Sequence, residues 1–233
     1  VEMWRGVMQA ARSAEFIDGD GSRNGYVVES APGHPGLLAL ALPWDGAAEH
    51  AAWMAQATHI APLIAVTRDG GSGRTSLTGA GRVRIDYRLD GAGVATLRHA
   101  LGSMARIARA AGALEILAAA TPNRSHVTAG HPGDARAFDR FLADLAGMDF
   151  APNRGSVFSA HQMGTIRMGA DPRDHPADPG GRVRGPDDRP IAGLYVADSS
   201  TFPTGLGVNP ILAVMAMARR VSRTILAEAT SRP

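Results

Sequence analysis

The chain has 233 residues, 45% of them hydrophobic and 20% charged, a balance that is typical of a folded globular protein and excludes an intrinsically disordered chain. Its net charge is only +2, and its basic residues, all of them arginines, are scattered along the sequence, which argues against a nucleic-acid-binding surface. Cysteine is absent, so neither a disulfide framework nor a thiolate metal site can form.

The first 150 residues have the pattern of an antiparallel sheet with helices. Polar and apolar residues alternate strictly from Arg82 to Leu89, which predicts a half-buried antiparallel strand. The apolar run from Leu37 to Leu42 predicts a strand or a wall segment that ends at Pro43. Further strands are predicted at 26–29, 63–68, 74–77 and 113–117, helices at 47–61, 90–111 and 134–146, a loop at 119–133, and a loose helix or coil at 1–17.

Near residue 150 the composition shifts to loop-rich sequence, so we expect one domain at 1–150 and another at 151–233. Residues 171–190 are predicted to be a solvated surface loop. A short apolar strand ends at Asp198, and Asn209-Pro210 begins the last predicted helix, 209–229. This arrangement favours a cofactor site, because the first N–H groups of a helix lack intrahelical partners and its dipole attracts negative charge.

His161 is the first candidate for a catalytic residue. It lies in the Gly-punctuated segment Ser159–Gly169. Imidazole is the one side chain whose unperturbed pKa is near neutrality, so it can accept a proton in one step and return it in the next. The alternative is that His161 only caps a backbone group of its loop.

Asn209 and Asp198 are the next candidates. Asn209 precedes Pro210, so it fits the N-cap of the last helix, and its side chain could instead point into a site. Asp198 fits either a turn cap or a ligand to a cofactor hydroxyl group at the end of a strand. The residues alone leave both alternatives open.

Metal and membrane functions are not expected. His175 lies among three aspartates, but that segment is rich in Pro and Gly, and we interpret it as a loop without a metal. No apolar run approaches the roughly 20 residues of a membrane-spanning helix. No signal peptide is recognised, and a cytoplasmic location is favoured, although the chain begins at Val1 and its natural start can lie upstream.

Four motifs, taken together, resemble the C-terminal signature of the glucose–methanol–choline (GMC) oxidoreductases. They occur in family order at family spacing, and the upstream segments 34–36, 42–44, 67–69 and 82–89 are similar to the substrate-binding half of the long-chain alcohol oxidase branch. The four motifs are His161-Gln-Met-Gly-Thr-x-Arg-Met-Gly, Leu194-Tyr-Val-Ala-Asp-Ser-Ser, Phe202-Pro-Thr and Gly207-Val-Asn-Pro.

The resemblance implies a mixed α/β fold. Residues 1–150 would form an antiparallel-sheet substrate-binding domain with helices, and residues 151–233 the returning part of an FAD-binding domain. It also implies FAD-dependent oxidation of a primary, long-chain aliphatic alcohol. His161 would take the hydroxyl proton and Asn209 would hold the substrate oxygen. FAD would be contacted by Asp198, Ser199, Asn209, Pro210 and Ile211.

Two departures qualify the resemblance. Ile166 stands where the branch commonly has cysteine, and the family's N-terminal Gly-rich strand–turn–helix for ADP is absent from this chain. We therefore expect the chain to act with an N-terminal FAD-binding half and to be inactive alone. Alternatives are a dehydrogenase or a sterol oxidase of the same family, and, in another class, a non-catalytic interaction module.

Overall fold

The computed structural model describes residues 11–127 and 134–230, so residues 1–10 of the predicted N-terminal helix or coil and the second part of the predicted loop 119–133 lie outside it. The chain divides into two compact units. The first comprises the chain up to Arg68 together with Asp90–Phe158, and the second comprises Asp69–Leu89 together with the chain from Ser159 onward.

The elements confirm the mixed α/β class. In chain order they are β1 (Arg12–Ser13), β2 (Tyr26–Ser30), α1 (Pro35–Ala41), α2 (Ala47–Ala55), a 3-10 turn (Ala57–His59), β3 (Leu63–Thr67), β4 (Gly73–Leu77), β5 (Val83–Tyr87), α3 (Gly91–Ala110), β6 (Glu115–Ala118), β7 (Arg124–Val127), α4 (Asp134–Ala146), β8 (Arg182–Arg184), β9 (Pro190–Tyr195), a second 3-10 turn (Ser199–Thr201) and α5 (Ile211–Thr230).

The first unit is built on an antiparallel sheet in the order β1-β2-β3. Tyr26 and Val28 alternate along β2 and pack against Ala100 of α3. The hydroxyl of the buried Tyr26 donates to Ser103 at 2.9 Å and lies 2.8 Å from His99 Nδ1, so the polar end of the ring is satisfied inside the core. Asp90 is the N-cap of helix α3, and its carboxylate accepts from the Gly93 amide at 2.6 Å.

A second core cluster joins α3, α4 and the hairpin β6–β7. Phe138, Phe141 and Leu145 lie three to four residues apart along α4, and this spacing puts them on one face. That face packs against Ile116 and Ala118 of β6. The predicted helix at 134–146 is confirmed residue for residue, because its strongly amphipathic pattern matches the surface it meets.

The second unit contains two antiparallel hairpins, β4–β5 and β8–β9, the turn Ser199–Thr201 and helix α5. Val221 is the one fully buried side chain of α5 among the described residues. It packs on Gly181, whose φ is +83° and where an added Cβ would lie 2.5 Å from a Val221 methyl group. Glycine is therefore required where β8 approaches the helix.

Two predictions at the sequence level are wrong. Residues 37–41 lie in helix α1 and Leu42 is its C-cap, because Pro35 occupies the first turn and His34 Nδ1 caps the N-terminus by accepting from the Gly36 amide. The strand predicted at 82–89 forms as β5 but is not half-buried. Among the described strands it pairs with β4 alone, and its apolar residues Val83 and Ile85 stay 70% and 71% exposed.

Two predicted loops also contain secondary structure. The loop at 119–133 includes β7, which pairs antiparallel with β6, and the loop at 171–190 includes β8, which pairs with β9. Both strands are short and carry charged residues, so neither shows the apolar alternation by which a strand is recognised.

We predict that Phe141→Ala lowers the free energy of unfolding by about 3 to 5 kcal/mol, since it opens a cavity between α4 and β6. Leu114→Ala, at a side chain that is 73% exposed, is the control and should change it by less than about 0.5 kcal/mol. Urea unfolding measures both, and equal effects would show that the α4 face is not a core.

Candidate functional site

The Asp198-Ser-Ser-Thr run folds into a single capped 3-10 turn. Asp198 Oδ1 accepts from the Ser200 amide at 2.8 Å and from its hydroxyl at 2.5 Å. The hydroxyl of the fully buried Thr201 donates to the Asp198 carbonyl at 2.8 Å. Short polar side chains close such turns because they can substitute for backbone hydrogen-bonding groups.

The segment that follows His161 lies alongside this turn. The amides of Gly164, Ile166 and Met168 donate to the carbonyls of Ser199, Ser200 and Thr201 at 3.2, 2.9 and 2.9 Å. The Ser199 hydroxyl adds a bond of 2.7 Å to the Gln162 carbonyl. We call these four hydrogen bonds the 162–168 ladder. The ladder holds two motifs, more than thirty residues apart in sequence, at one site.

Gly164 is the residue that permits the ladder to form. Its φ is +80°, in the left-handed region, and a Cβ there would lie 3.3 Å from the Phe202 carbonyl oxygen. A side chain would therefore be strained by the backbone and would also press on the turn.

His161 lies directly before the ladder and is half-buried. Among the described residues no group hydrogen-bonds its imidazole, so the ring does not serve there as a backbone cap. Both ring nitrogens are therefore available to a ligand.

Asn209 lies two residues before the first residue of the last helix. The Pro210 carbonyl accepts from the Val214 amide at 2.8 Å, and the helix begins at Ile211, so Pro210 rather than Asn209 is the residue just outside it. Asn209 is half-buried, and its Oδ1 is shielded from solvent. Helix α5 packs against the turn Ser199–Thr201, which connects Asn209 to the same part of the second unit as the ladder.

The residues predicted to contact FAD fit such a group in part. The first turn of α5 contains no acidic side chain, and Ile211 and Leu212 are 69% and 77% exposed there. An apolar, uncharged helix N-terminus suits the edge of a ring that gains negative charge. The Ser199 hydroxyl, in contrast, already donates its proton within the protein, so only its lone pairs are available.

Asp198 keeps a negative charge at this site. Hydrogen bonds from the Ser200 hydroxyl and the Ser200 amide hold the pKa of the Asp198 carboxyl below its ordinary value. Both bonds go to Oδ1, and among the described residues Oδ2 accepts none. Asp198 is therefore a turn cap, as one alternative predicted, and still has a carboxylate oxygen to offer a ligand hydroxyl.

Residues 169–184, which overlap the solvated loop predicted at 171–190, fold around one arginine. The Arg184 guanidinium donates to the carbonyls of Gly169, Ala170, His175 and Ala177 at distances from 2.6 to 3.3 Å. An arginine has five N–H donors in a planar fork, so a single side chain can satisfy several loop carbonyls. The loop begins directly after Met168, the last residue of the ladder. Arg184 therefore supports the ladder at its Met168 end.

A second network fixes α5. Arg182 pairs with Asp178 at 2.5 Å and with Glu228 at 3.1 Å, and Glu228 also accepts from the Tyr195 hydroxyl at 2.5 Å. Burial alone would raise the pKa of the Asp178 carboxyl, but hydrogen bonds from Arg182 and Gly180 hold that pKa below its usual value.

Sequence reasoning missed the residues that build the site rather than line it. Arg184 gave no signal, because one arginine in a Pro-, Gly- and Asp-rich segment fits a solvated loop equally well. Gly164 could have been found, since a glycine inside a motif is a candidate for a left-handed residue.

Two classes of site are not seen in the described residues. No group of three or more metal-ligating side chains occurs there, and His175 Nδ1 instead lies 2.9 Å from the Asp171 carbonyl. Within residues 11–127 and 134–230 no helix is long and apolar enough to cross a membrane.

Gly164→Ala should destabilise the protein more than Gly193→Ala. Both glycines have positive φ, so each substitution should cost about 1 to 2 kcal/mol of backbone strain. Only at Gly164 does the new Cβ also press on a carbonyl oxygen, while at Gly193 it meets nothing within 4 Å. Thermal unfolding measures the difference, and Gly79→Ala, in open space without a positive φ, should be near neutral. Equal losses at Gly164 and Gly193 would contradict a packed ladder.

Asp178→Asn should lose stability in a pH-dependent way. At pH 7 we expect a loss of about 1.5 to 3 kcal/mol, because Arg182 then loses its ion pair with Asp178 and keeps the one with Glu228. The charge of Asp178 stabilises the fold fully above its unfolded pKa of about 3.9, and this stabilisation is lost as the pH falls through the lower folded pKa. The difference in the free energy of unfolding between wild type and Asp178→Asn should therefore shrink in acid. Urea titrations from pH 7 to pH 3 measure it.

The control for this titration is Asp187→Asn. Asp187 lies 4.0 Å from Arg189, and both side chains are exposed, so its loss should be small at every pH. A difference between wild type and Asp178→Asn that stays constant down to pH 3 would contradict the assignment.

Comparison with known proteins identifies the family. Residues 71–218 match the C-terminal sequence model of the family described as GMC oxidoreductase. A long-chain-alcohol oxidase of Arabidopsis thaliana is 30% identical over 91% of this chain and 28% of its own length. A GMC-type oxidoreductase of Mycobacterium tuberculosis is 34% identical over 97% of this chain and 32% of its own length.

A third relative matches over a shorter stretch. Choline oxidase of Arthrobacter globiformis is 41% identical over 66 residues, which are 28% of this chain and 11% of that protein. The chain thus spans about a third or less of the length of the curated relatives that it matches. Because the family model covers well over half of the chain, we conclude that this protein belongs to the GMC oxidoreductase family.

Proposed function

We propose that this chain supplies the substrate-binding and catalytic residues of an FAD-dependent enzyme that oxidises a primary, long-chain aliphatic alcohol to its aldehyde. The observation that carries the proposal is the half-buried His161 ring, which makes no hydrogen bond to the described residues and directly precedes the 162–168 ladder. A base in this state is ready to meet a ligand hydroxyl without first breaking an internal bond.

In the proposed chemistry His161 accepts the hydroxyl proton of the alcohol. A positioned general base contributes on the order of 10² to 10⁴ in rate. When bound, FAD supplies an acceptor for the hydride that leaves the alcohol carbon. His161 would hold the proton on a ring nitrogen and release it after the aldehyde has left.

Asn209 would donate its side-chain amide N–H to the alcohol oxygen. This hydrogen bond would hold the reacting carbon in place and stabilise negative charge as the proton leaves. The position of Asn209 just before α5 supports the role, because a residue at the entrance to a helix of 20 residues is fixed by that helix.

The cofactor would be held by the residues around the turn and α5. The free Oδ2 of Asp198 would accept from a cofactor hydroxyl, and Ser199 would offer a lone pair. The N-terminus of α5, at Pro210 and Ile211, would face the part of the ring system that gains negative charge. An N-terminal FAD-binding half is the partner that we expect to supply the ADP-binding portion.

The substrate class rests on the relatives. Long-chain-alcohol oxidases of Arabidopsis thaliana match most of this chain. The apolar residues of 37–44 and Trp53 would form a wall for an alkyl chain. Leu37, Leu40 and Trp44 are exposed in the first unit, at 54%, 68% and 63%, so they remain available to an apolar ligand.

The substrate is tested with the FAD-loaded protein that contains this chain and its N-terminal half. Aldehyde formation is measured with primary alcohols from short to long, with a sterol and with choline. We expect kcat/KM to rise with chain length, since each buried CH₂ contributes about 0.8 kcal/mol. A preference for the sterol or for choline would contradict the aliphatic assignment, and no aldehyde from any alcohol would contradict the proposed reaction.

His161→Gln should lower the rate of flavin reduction by about 10² to 10⁴, because the glutamine keeps a polar group but cannot accept the proton. Flavin content should remain that of the wild type. The matched control is His59→Gln, at an exposed histidine of the first unit, and it should leave the rate unchanged. A normal reduction rate in His161→Gln would remove His161 from the base role.

Asn209→Ala should slow flavin reduction less severely, by about 10- to 100-fold, because one hydrogen bond of the transition state is lost while the base remains. Stopped-flow absorption at the flavin band measures the rate. An unchanged rate would leave Asn209 with a structural role only.

A further inference from the structure

Asp69, in the Thr67-Arg68-Asp69 motif, has no role in the proposed chemistry. It is the first residue of the second unit and leads into the hairpin β4–β5, whose ten strand residues are all exposed. The contacts of such a hairpin with the rest of its unit are therefore concentrated at its base.

The base of the hairpin is formed by Tyr87 and two glycines. A Cβ on Gly71 would lie 3.1 Å from the Tyr87 hydroxyl oxygen, and one on Gly73 would lie 3.1 Å from Tyr87 Cδ2. The phenol ring therefore lies across the backbone of both glycines, which explains Gly71 and Gly73 in this segment. The Tyr87 hydroxyl then reaches back and donates a hydrogen bond to Asp69 Oδ2.

Asp69 in turn packs against the loop that leads to α5. An added Cβ on Gly205 would lie 3.2 Å from Asp69 Oδ1 and 3.5 Å from the Asp69 carbonyl oxygen. Both the side chain and the backbone of Asp69 are thus in close contact with Gly205. The two carboxylate oxygens of Asp69 make different contacts, since Oδ2 accepts from Tyr87 and Oδ1 faces the loop.

Gly205 lies only four residues before Asn209. Between them, Gly207 is buried and has a φ of +69°, so this stretch follows one specific path to the helix. A path fixed at Gly205 by Asp69 and at Ile211 by α5 leaves the intervening residues little freedom.

We propose that Asp69, oriented by Tyr87, is a positioning residue that fixes the loop 205–209 and thereby the side chain of Asn209. The proposal rests on the proposed function for the role of Asn209, but the fixing of the loop is a separate physical statement. A small displacement of a positioned group lowers the rate of the chemical step more than it lowers binding.

Three variants separate the parts of this contact. Tyr87→Phe removes the hydrogen bond and keeps the ring on its glycines. Asp69→Ala removes both the acceptor and the side-chain contact with Gly205, while Asp69→Asn keeps an oxygen acceptor of the same shape. The matched control is Asp86→Ala on the same hairpin, which breaks only the exposed pair with Arg84 at 2.8 Å.

The first measurement is hydrogen exchange of the peptide that covers residues 203–210, in the FAD-loaded protein. We expect exchange to be about tenfold faster in Asp69→Ala and about threefold faster in Tyr87→Phe, as local opening becomes easier. It should be near normal in Asp69→Asn and in the control. Exchange in α4, in the other unit, should not change in any variant.

The second measurement compares kcat with KM for a long-chain alcohol. We expect kcat to fall about tenfold in Asp69→Ala with KM nearly unchanged, and Asp69→Asn to recover most of the loss. Asp69→Ala combined with Asn209→Ala should be no slower than Asn209→Ala alone, because the two residues act through one group.

The outcomes distinguish this proposal from the proposed function. If Asp69→Ala and Tyr87→Phe speed exchange at 203–210 but the protein oxidises no alcohol, the result would support the fixing of the loop and contradict only the proposed reaction. Unchanged exchange in Asp69→Ala and Tyr87→Phe would overturn the proposal whatever the activity. Faster exchange with an unchanged kcat would also overturn it, because the loop would then be fixed without positioning Asn209.

Discussion

The 162–168 ladder is the constraint on which the rest of the candidate site depends. It is made of three backbone hydrogen bonds and one from the Ser199 hydroxyl, and it joins the segment after His161 to the turn after Asp198. Each such bond contributes only about 1 kcal/mol, but the four occur in register and act together. Without them, His161 and Asp198 would belong to separate loops. With them, both belong to one structure against which α5 packs.

Two arginines support this structure from outside. Arg184 satisfies the carbonyls of the loop that continues the ladder, and Arg182 ties Asp178 to Glu228 of α5. A chain without lysine can build such centres, because the guanidinium fork binds several oxygens at once, whereas an ammonium acts as a single point charge. The loop 169–184 is therefore a folded part of the site, although its composition is that of a solvated surface segment.

The sequence predicted most of what depends on local pattern. Helix α4 was predicted residue for residue, because its apolar face is regular. His161, Asn209 and Asp198 stay predictions that rest on motifs at fixed spacing. Prediction from the sequence failed where contacts between residues far apart in the chain determine the structure. The apolar run 37–42 is compatible with either a strand or a helix, and the cap at His34 favours the helix. The alternation in β5 predicted burial that its single partner strand does not provide. Arg184 and Asp69 act through contacts with residues far along the chain, and no local sequence pattern indicates such contacts.

The most direct test of the account is a rapid anaerobic mixing experiment on the FAD-loaded protein that contains this chain. A long-chain primary alcohol is compared with the same alcohol carrying two deuterium atoms at the reacting carbon, and the visible flavin absorption is followed. Our account predicts bleaching by the alcohol, slower by a factor of several with deuterium, because the bond from carbon to that hydrogen breaks in the step that reduces the flavin. An oxidised flavin that keeps its absorption with saturating alcohol would contradict the account.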